Sequence, residues 1–151
     1  MYPVWPIIKV EQLVASLQKP DPDIEIFALA YAVAAATIAQ IKPAPSSRPD
    51  NVTAEMMESR CQHARTKCKK GIPPNITTLR IAFFLHIYYE NQVPGGLQSI
   101  LYMREAITIS QMLGLHRESY YANVVPEEQQ IRRRTFWLLF VTERYVFLIP
   151  I

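Results

Sequence analysis

Cysteine, histidine and glycine are scarce in this sequence: two, three and four among 151 residues. Two cysteines cannot build a disulfide framework, so the chain is expected in a reducing, intracellular compartment. The glycines stand at 71, 95, 96 and 114, and none belongs to a phosphate-cradling loop. A nucleophile elbow, a metal-ligand helix and a catalytically spaced carboxylate pair are missing too, so the sequence reads as non-enzymatic. The opening MYPVWPIIKV lacks the basic region, apolar core and small-residue cleavage site of a secretory signal. Charge of one sign is also scarce: a net charge of +3 says little about nucleic acid. The longest apolar stretch, between Glu25 and Gln40, falls short of the roughly 20 residues a membrane span needs. Its alanines suit close contact between buried helices instead.

What remains is helix period without strand period. Half of the residues are hydrophobic, enough for one domain with a core, and the expected architecture is all-α with about six helices over 1–151. A short helix from Val10 to about Gln18 is stopped by Pro20 and Pro22, and an alanine-rich helix follows to about Gln40. Prolines 43, 45 and 49 make 42–52 a flexible loop. Thr53 can cap a third helix reaching about Lys70. After Pro73 and Pro74, a fourth runs from Ile76 to Asn91, with Thr77 or Thr78 helping to cap it.

The stretch from Gly95 to Leu148 carries most of the information. Leu97 to Leu113 has apolar residues at helical spacing and ends at Gly114. His116 and Arg117 follow, where cations complement the helix dipole. Pro126 restarts the helix, and Glu127 and Glu128 sit on its positive end. The run TFWLLFVT is apolar on all sides and is expected to be covered on all sides. Glu143 and Arg144 follow it and need partners; Arg104 and Glu105 are the candidates. Arg132, Arg133 and Arg134 point about 100° apart and cannot form one phosphate-reading stripe. They read as part clamp and part solvated charge, with Arg133 or Arg144 stacking on Trp137.

Cys61, His63 and Cys68 mimic part of a metal site, but a tetrahedral site needs a fourth ligand and none is local. Met57, Cys61, Ala64 and Cys68 instead share one apolar stripe, opposite Arg60, His63 and Lys67. His86 lies between Leu85 and Ile87 and reads as a hydrogen-bonded structural histidine.

The strings PPNITTLRIAFFLHIYYENQVPGGLQSILY, LYMREAITISQMLGLHRES and PEEQQIRRRTFWLLFVTERY resemble the middle homology region of fungal zinc-cluster transcription activators. The resemblance is to those regulating xylan, starch and maltose use, and it is best over 73–148. Its motif residues are Gly114, Leu115, His116, Arg117, Arg132, Arg133, Arg134, Phe136 and Trp137. It implies a nuclear, non-catalytic regulatory domain, responsive to an inducer and controlling carbohydrate-utilisation genes. Its partners are then other parts of a transcription factor or a homologous activator. A sugar is the expected inducer, with Tyr88, Tyr89, Tyr120 and Tyr121 as candidate contacts. DNA is reached only through a parent's zinc cluster, zinc belongs to that module, and no cofactor is expected here. The family pattern also implies truncation: six paired cysteines before this region and further helices after residue 151 are missing. Incomplete cover of TFWLLFV then predicts self-association or marginal stability. The alternative is a helical interaction module that pairs with a full-length activator, or a gene fragment without an independent role.

Overall fold

The computed structural model describes residues 7–41, 52–68, 71 and 73–148; the expected loop at 42–52 lies outside them except for Val52. Six α-helices and one 3-10 helix follow in order: α1 Val10–Leu17, α2 Ile24–Ile41, α3 Ala54–Thr66, α4 Ile76–Gln92, α5 Leu97–Leu113, the 3-10 helix Glu118–Asn123 and α6 Pro126–Leu148. No strand occurs among the described residues, and the chain is all-α.

The fold is organised around α4. Leu79, Ile81, Ala82, Phe83, Phe84, Leu85, His86 and Tyr88 are buried, which leaves the helix little solvent-facing surface. A helix apolar nearly all round belongs in the middle, and α2 and α5 flank it. Its start is fixed by Asn75 rather than by a threonine alone. The Asn75 side chain accepts from the Thr78 backbone N–H (3.0 Å), and the Asn75 N–H donates to the Thr78 hydroxyl (3.3 Å). This reciprocal pair satisfies two donors that a helix start otherwise leaves unpaired.

By length and composition α2 could cross a membrane, but Ala28, Leu29, Ala32, Ala35, Ala36 and Ala39 are buried where it packs along α3 and α4. Small side chains let these backbones approach closely. On α3, Met57, Cys61 and Ala64 are buried while Arg60, His63 and Lys67 are exposed. The helix stops at Thr66, short of the expected Lys70. There the Thr66 hydroxyl donates to the His63 carbonyl (2.6 Å), the kind of local bond that competes with helix continuation.

At the end of α5, Gly114 takes φ +76°. Its N–H donates to the Gln111 carbonyl and that of Leu115 to the Ser110 carbonyl, both at 3.1 Å, a Schellman closure. A Cβ at Gly114 would meet nothing nearer than Tyr120 at 4.0 Å, so the cost of Gly114→Ala is conformational. That cost is about 1–2 kcal/mol. Thermal unfolding of the variant is expected several degrees below wild type, and an unchanged midpoint would show that the turn does not need the left-handed conformation.

On α6 the expectation of all-round burial is corrected. Ile131, Thr135 and Leu139 are buried at a four-residue spacing, but Trp137, Phe140 and Val141 are 60%, 40% and 57% exposed. Neighbouring helices contact α6 on one side only, so an apolar run without polar interruptions is half covered.

Candidate functional site

A cleft of about 570 Å³ opens between the C-terminal half of α5 and the middle of α6. Ile107, Ser110 and Gln111 are i, i+3 and i+4 on α5, and Phe136, Leu139, Phe140 and Glu143 follow the same spacing on α6. Each set therefore lies on one helix face. His116 and Arg117 complete the rim just beyond the Gly114 turn, the Arg117 Nε–H donating to His116 Nε2 at 3.3 Å.

The rim is held by a hub of arginines. Glu128 Oε1 lies 3.0 Å from Arg132 and 3.6 Å from Arg80, joining α4 to α6. Burial pushes both arginines below their ordinary pKa, and Glu128 draws Arg80 back up. Arg132 also donates to the Tyr120 hydroxyl and lies over that ring. Arg133 pairs with Glu118 (2.9 Å) and sits 4.5 Å from the centroid of the Tyr121 ring. The Tyr121 hydroxyl donates to the Leu115 carbonyl (2.8 Å), and Gln129 donates to the carbonyls of Tyr121 and Val124 (2.7 and 2.8 Å). The 3-10 helix is thus pinned to the first half of α6, while Arg134 is exposed.

Several sequence-based pairings need correcting. Arg133 does not stack on Trp137, because the 3-10 helix folds back and puts Tyr121 beside it. Arg144 lies over Phe140, at 5.0 Å, instead of Trp137. Arg104 meets Glu143 at 3.4 Å, but Glu105 pairs with Arg65 of α3 at 3.2 Å. The four tyrosines are not all at one place. Tyr89 donates to Glu58 (2.6 Å) and stacks on Tyr102, with burial and Glu58 pushing its hydroxyl well up. Tyr88 and Tyr121 are buried, and Tyr120 is half-buried under Arg132. Spacing carried no signal for Gln111, Arg80 or the 3-10 helix, whereas positions 136, 139, 140 and 143 share a helical face.

Among the described residues the two cysteines do not sit in a zinc-ligand set. Cys61 is buried and its thiol is pushed up to about 12, chiefly by burial. Cys68 lies just past the end of α3, and no group of three His, Cys, Asp or Glu gathers among the described residues.

The model of the fungal specific transcription factor domain matches residues 1–149. The chain belongs to that family. It is 32% identical over 149 residues to the probable sucrose utilization protein SUC1 of Candida albicans, covering 96% of this chain and 29% of that protein. It is 27% identical over 146 residues to the maltose fermentation regulatory protein MAL13 of Saccharomyces cerevisiae, covering 96% of this chain and 31% of the relative. The respiratory transcription factor ZNF1 of the same yeast is 24% identical over 146 residues, with the same coverage. The chain thus spans about a third of the length of these relatives. No solved structure matches it.

MAL13 is a regulatory protein and ZNF1 a transcription factor, and this fungal transcription factor domain is not an enzyme. A serine, histidine and carboxylate cluster among the described residues is built to hold helices together. Ser99 is 1% exposed, and its hydroxyl donates to Glu90. His86 Nδ1 lies 2.9 Å from the Ser99 carbonyl, which can only accept, so that nitrogen carries the proton and cannot act as a base toward the hydroxyl 3.1 Å away. The cluster fastens the start of α5 to α4.

Burial lowers the His86 pKa from 6.5, against the opposing pull of the Ser99 carbonyl and Glu90. A lowered histidine favours the fold while neutral, so its stability is fully present above pH 6.5 and is lost as pH falls through the folded value. Wild type is expected to lose more melting temperature than His86→Gln between pH 7.5 and 5.5. Equal losses in the two proteins would count against a buried neutral imidazole.

Proposed function

We propose that this domain is the inducer-responsive regulatory region of a nuclear zinc-cluster activator of carbohydrate-utilisation genes. The observation that carries this is similarity over 96% of the chain to a sucrose utilization protein and a maltose fermentation regulator. On this reading DNA is contacted by a zinc-binding module elsewhere in the parent protein. The domain acts by changing its helix arrangement, which requires an effector with unequal affinity for two states.

The test replaces the matching segment of the maltose fermentation regulatory protein MAL13 with this chain and reads a reporter. Sugar-dependent output with maltose or sucrose is expected. Constant output with both sugars, from a hybrid present in the nucleus at normal abundance, would sink the reading.

The exposed Trp137, Phe140 and Val141 on α6 favour a second reading, a helical module that pairs with a homologous activator or with itself. Under it the isolated chain elutes above monomer mass and Trp137→Glu returns it to monomer. A wild-type chain that stays monomeric at high micromolar concentration argues against self-pairing.

A further inference from the structure

We propose that the cleft between α5 and α6 binds a neutral disaccharide, an assignment that rests on the carbohydrate-responsive reading above. Size and lining separate it from two other cavities on the described surface. Small-molecule sites occupy roughly 300–1,000 Å³. The cavity beside α1 that Lys9, Arg80 and Glu128 line is about 120 Å³, too small for two sugar rings. A second, at the turn between α4 and α5, is about 360 Å³, but its exposed lining is almost wholly apolar, with the Tyr89 hydroxyl held by Glu58 and the Ser99 hydroxyl by Glu90. The α5 and α6 cleft, at about 570 Å³, has room for two rings.

Its chemistry also matches a sugar, which offers C–H faces together with adjacent hydroxyls. Phe136 and Phe140 line the apolar side, where the electron-rich ring face attracts polarised C–H groups. Gln111, Arg117 and Glu143 on the rim are planar groups with donors and acceptors both represented; His116 takes the Nε–H of Arg117 and Arg104 takes Oε1 of Glu143, which leaves the terminal guanidinium N–H groups and the Gln111 amide to meet neighbouring hydroxyls. A wholly apolar effector would strip water from both charged heads and return no hydrogen bonds, a costly exchange. A disaccharide replaces that water bond for bond. Because α5 and α6 touch over only a short stretch, an occupant bridging them changes how they sit together. That gives the bound state its difference from the free one.

Calorimetry of maltose and sucrose with the 151-residue chain tests this against Gln111→Ala, Phe140→Ala and, at the smaller cavity, Gln98→Ala. All three positions are exposed, so the variants are expected to fold. Binding of one disaccharide is expected, weakened at least about tenfold by each cleft variant and unchanged by Gln98→Ala. Binding that survives both cleft variants overturns the assignment while leaving the regulatory reading standing. Absence of binding to a cooperatively folded wild-type chain also overturns it, and the reporter hybrid then decides the regulatory reading separately. In that hybrid Gln111→Ala and Phe140→Ala are expected to abolish the sugar response at unchanged protein level. An unaltered response overturns the cleft.

Discussion

Phe83→Ala is expected to destabilise the domain by about 3–5 kcal/mol, enough to leave much of it unfolded at 37 °C. The ring is 1% exposed and lies edge-on to Phe84, with centroids 5.6 Å apart and planes at 71°. It sits on the helix that α2 and α5 flank, so a cavity there is lined by helices fixed in place by their other contacts. Such a site cannot collapse easily, which puts the cost in the upper part of the range for large-to-small changes. Phe83→Leu refills most of the volume and should recover more than half of the loss. Trp137→Ala removes a larger ring from α6, but that ring is 60% exposed, and its loss should cost under about 1 kcal/mol. Urea unfolding followed by circular dichroism gives all three values. A Phe83→Ala cost no greater than that of Trp137→Ala would place the core somewhere other than around α4.

The contrast between these two rings also marks what was legible in the sequence. Helix period and stop signals located every α-helix: Pro20 and Pro22 end α1, Gly114 closes α5, and Pro126 opens α6. Those signals are local, and so is the physics behind them. The run TFWLLFVT shows no polar face, and an apolar run without one does not say how many neighbours it has; in the structure it has them on one side. The same limit applies to charge. Glu128 to Arg132 is a four-residue helical pair and can be read from spacing. The contacts of Arg65 with Glu105, Arg80 with Glu128 and Arg133 with Glu118 join different elements, and only packing creates them. The cleft was half visible. Positions 136, 139, 140 and 143 share a face by spacing alone, but that the face stands open opposite Gln111 depends on the angle between two helices. The 3-10 helix left no periodic trace, because six residues are too few to show one.

Glu128→Ala is expected to cost about 2–3 kcal/mol through the arginines it leaves behind. Breaking a buried ion pair from one side costs roughly 3–5 kcal/mol, and exposed pairs are worth roughly 0–1. Glu128 lies between these limits: its side chain is 33% exposed, while those of Arg80 and Arg132 are 14% and 21% exposed. Arg80 suffers most. Its Nε is buried and has no acceptor among the described residues, so the carboxylate is what compensates its charge. Removing the other end should be milder, because Arg80→Met keeps the stem in place and leaves Glu128 paired with Arg132. The double variant should then be more stable than the summed losses imply, by about 0.5–3 kcal/mol of coupling. Additive losses would mean that Arg80 and Glu128 do not act as a pair. The consequence reaches the cleft through Arg132, which holds Tyr120 in the segment just after His116 and Arg117. In Glu128→Ala the amides of 118–123 should exchange faster than in wild type, while those of α4 keep their protection. Unchanged exchange at 118–123 would show that Gln129, Arg133 and the Tyr121 hydroxyl hold the rim without the hub.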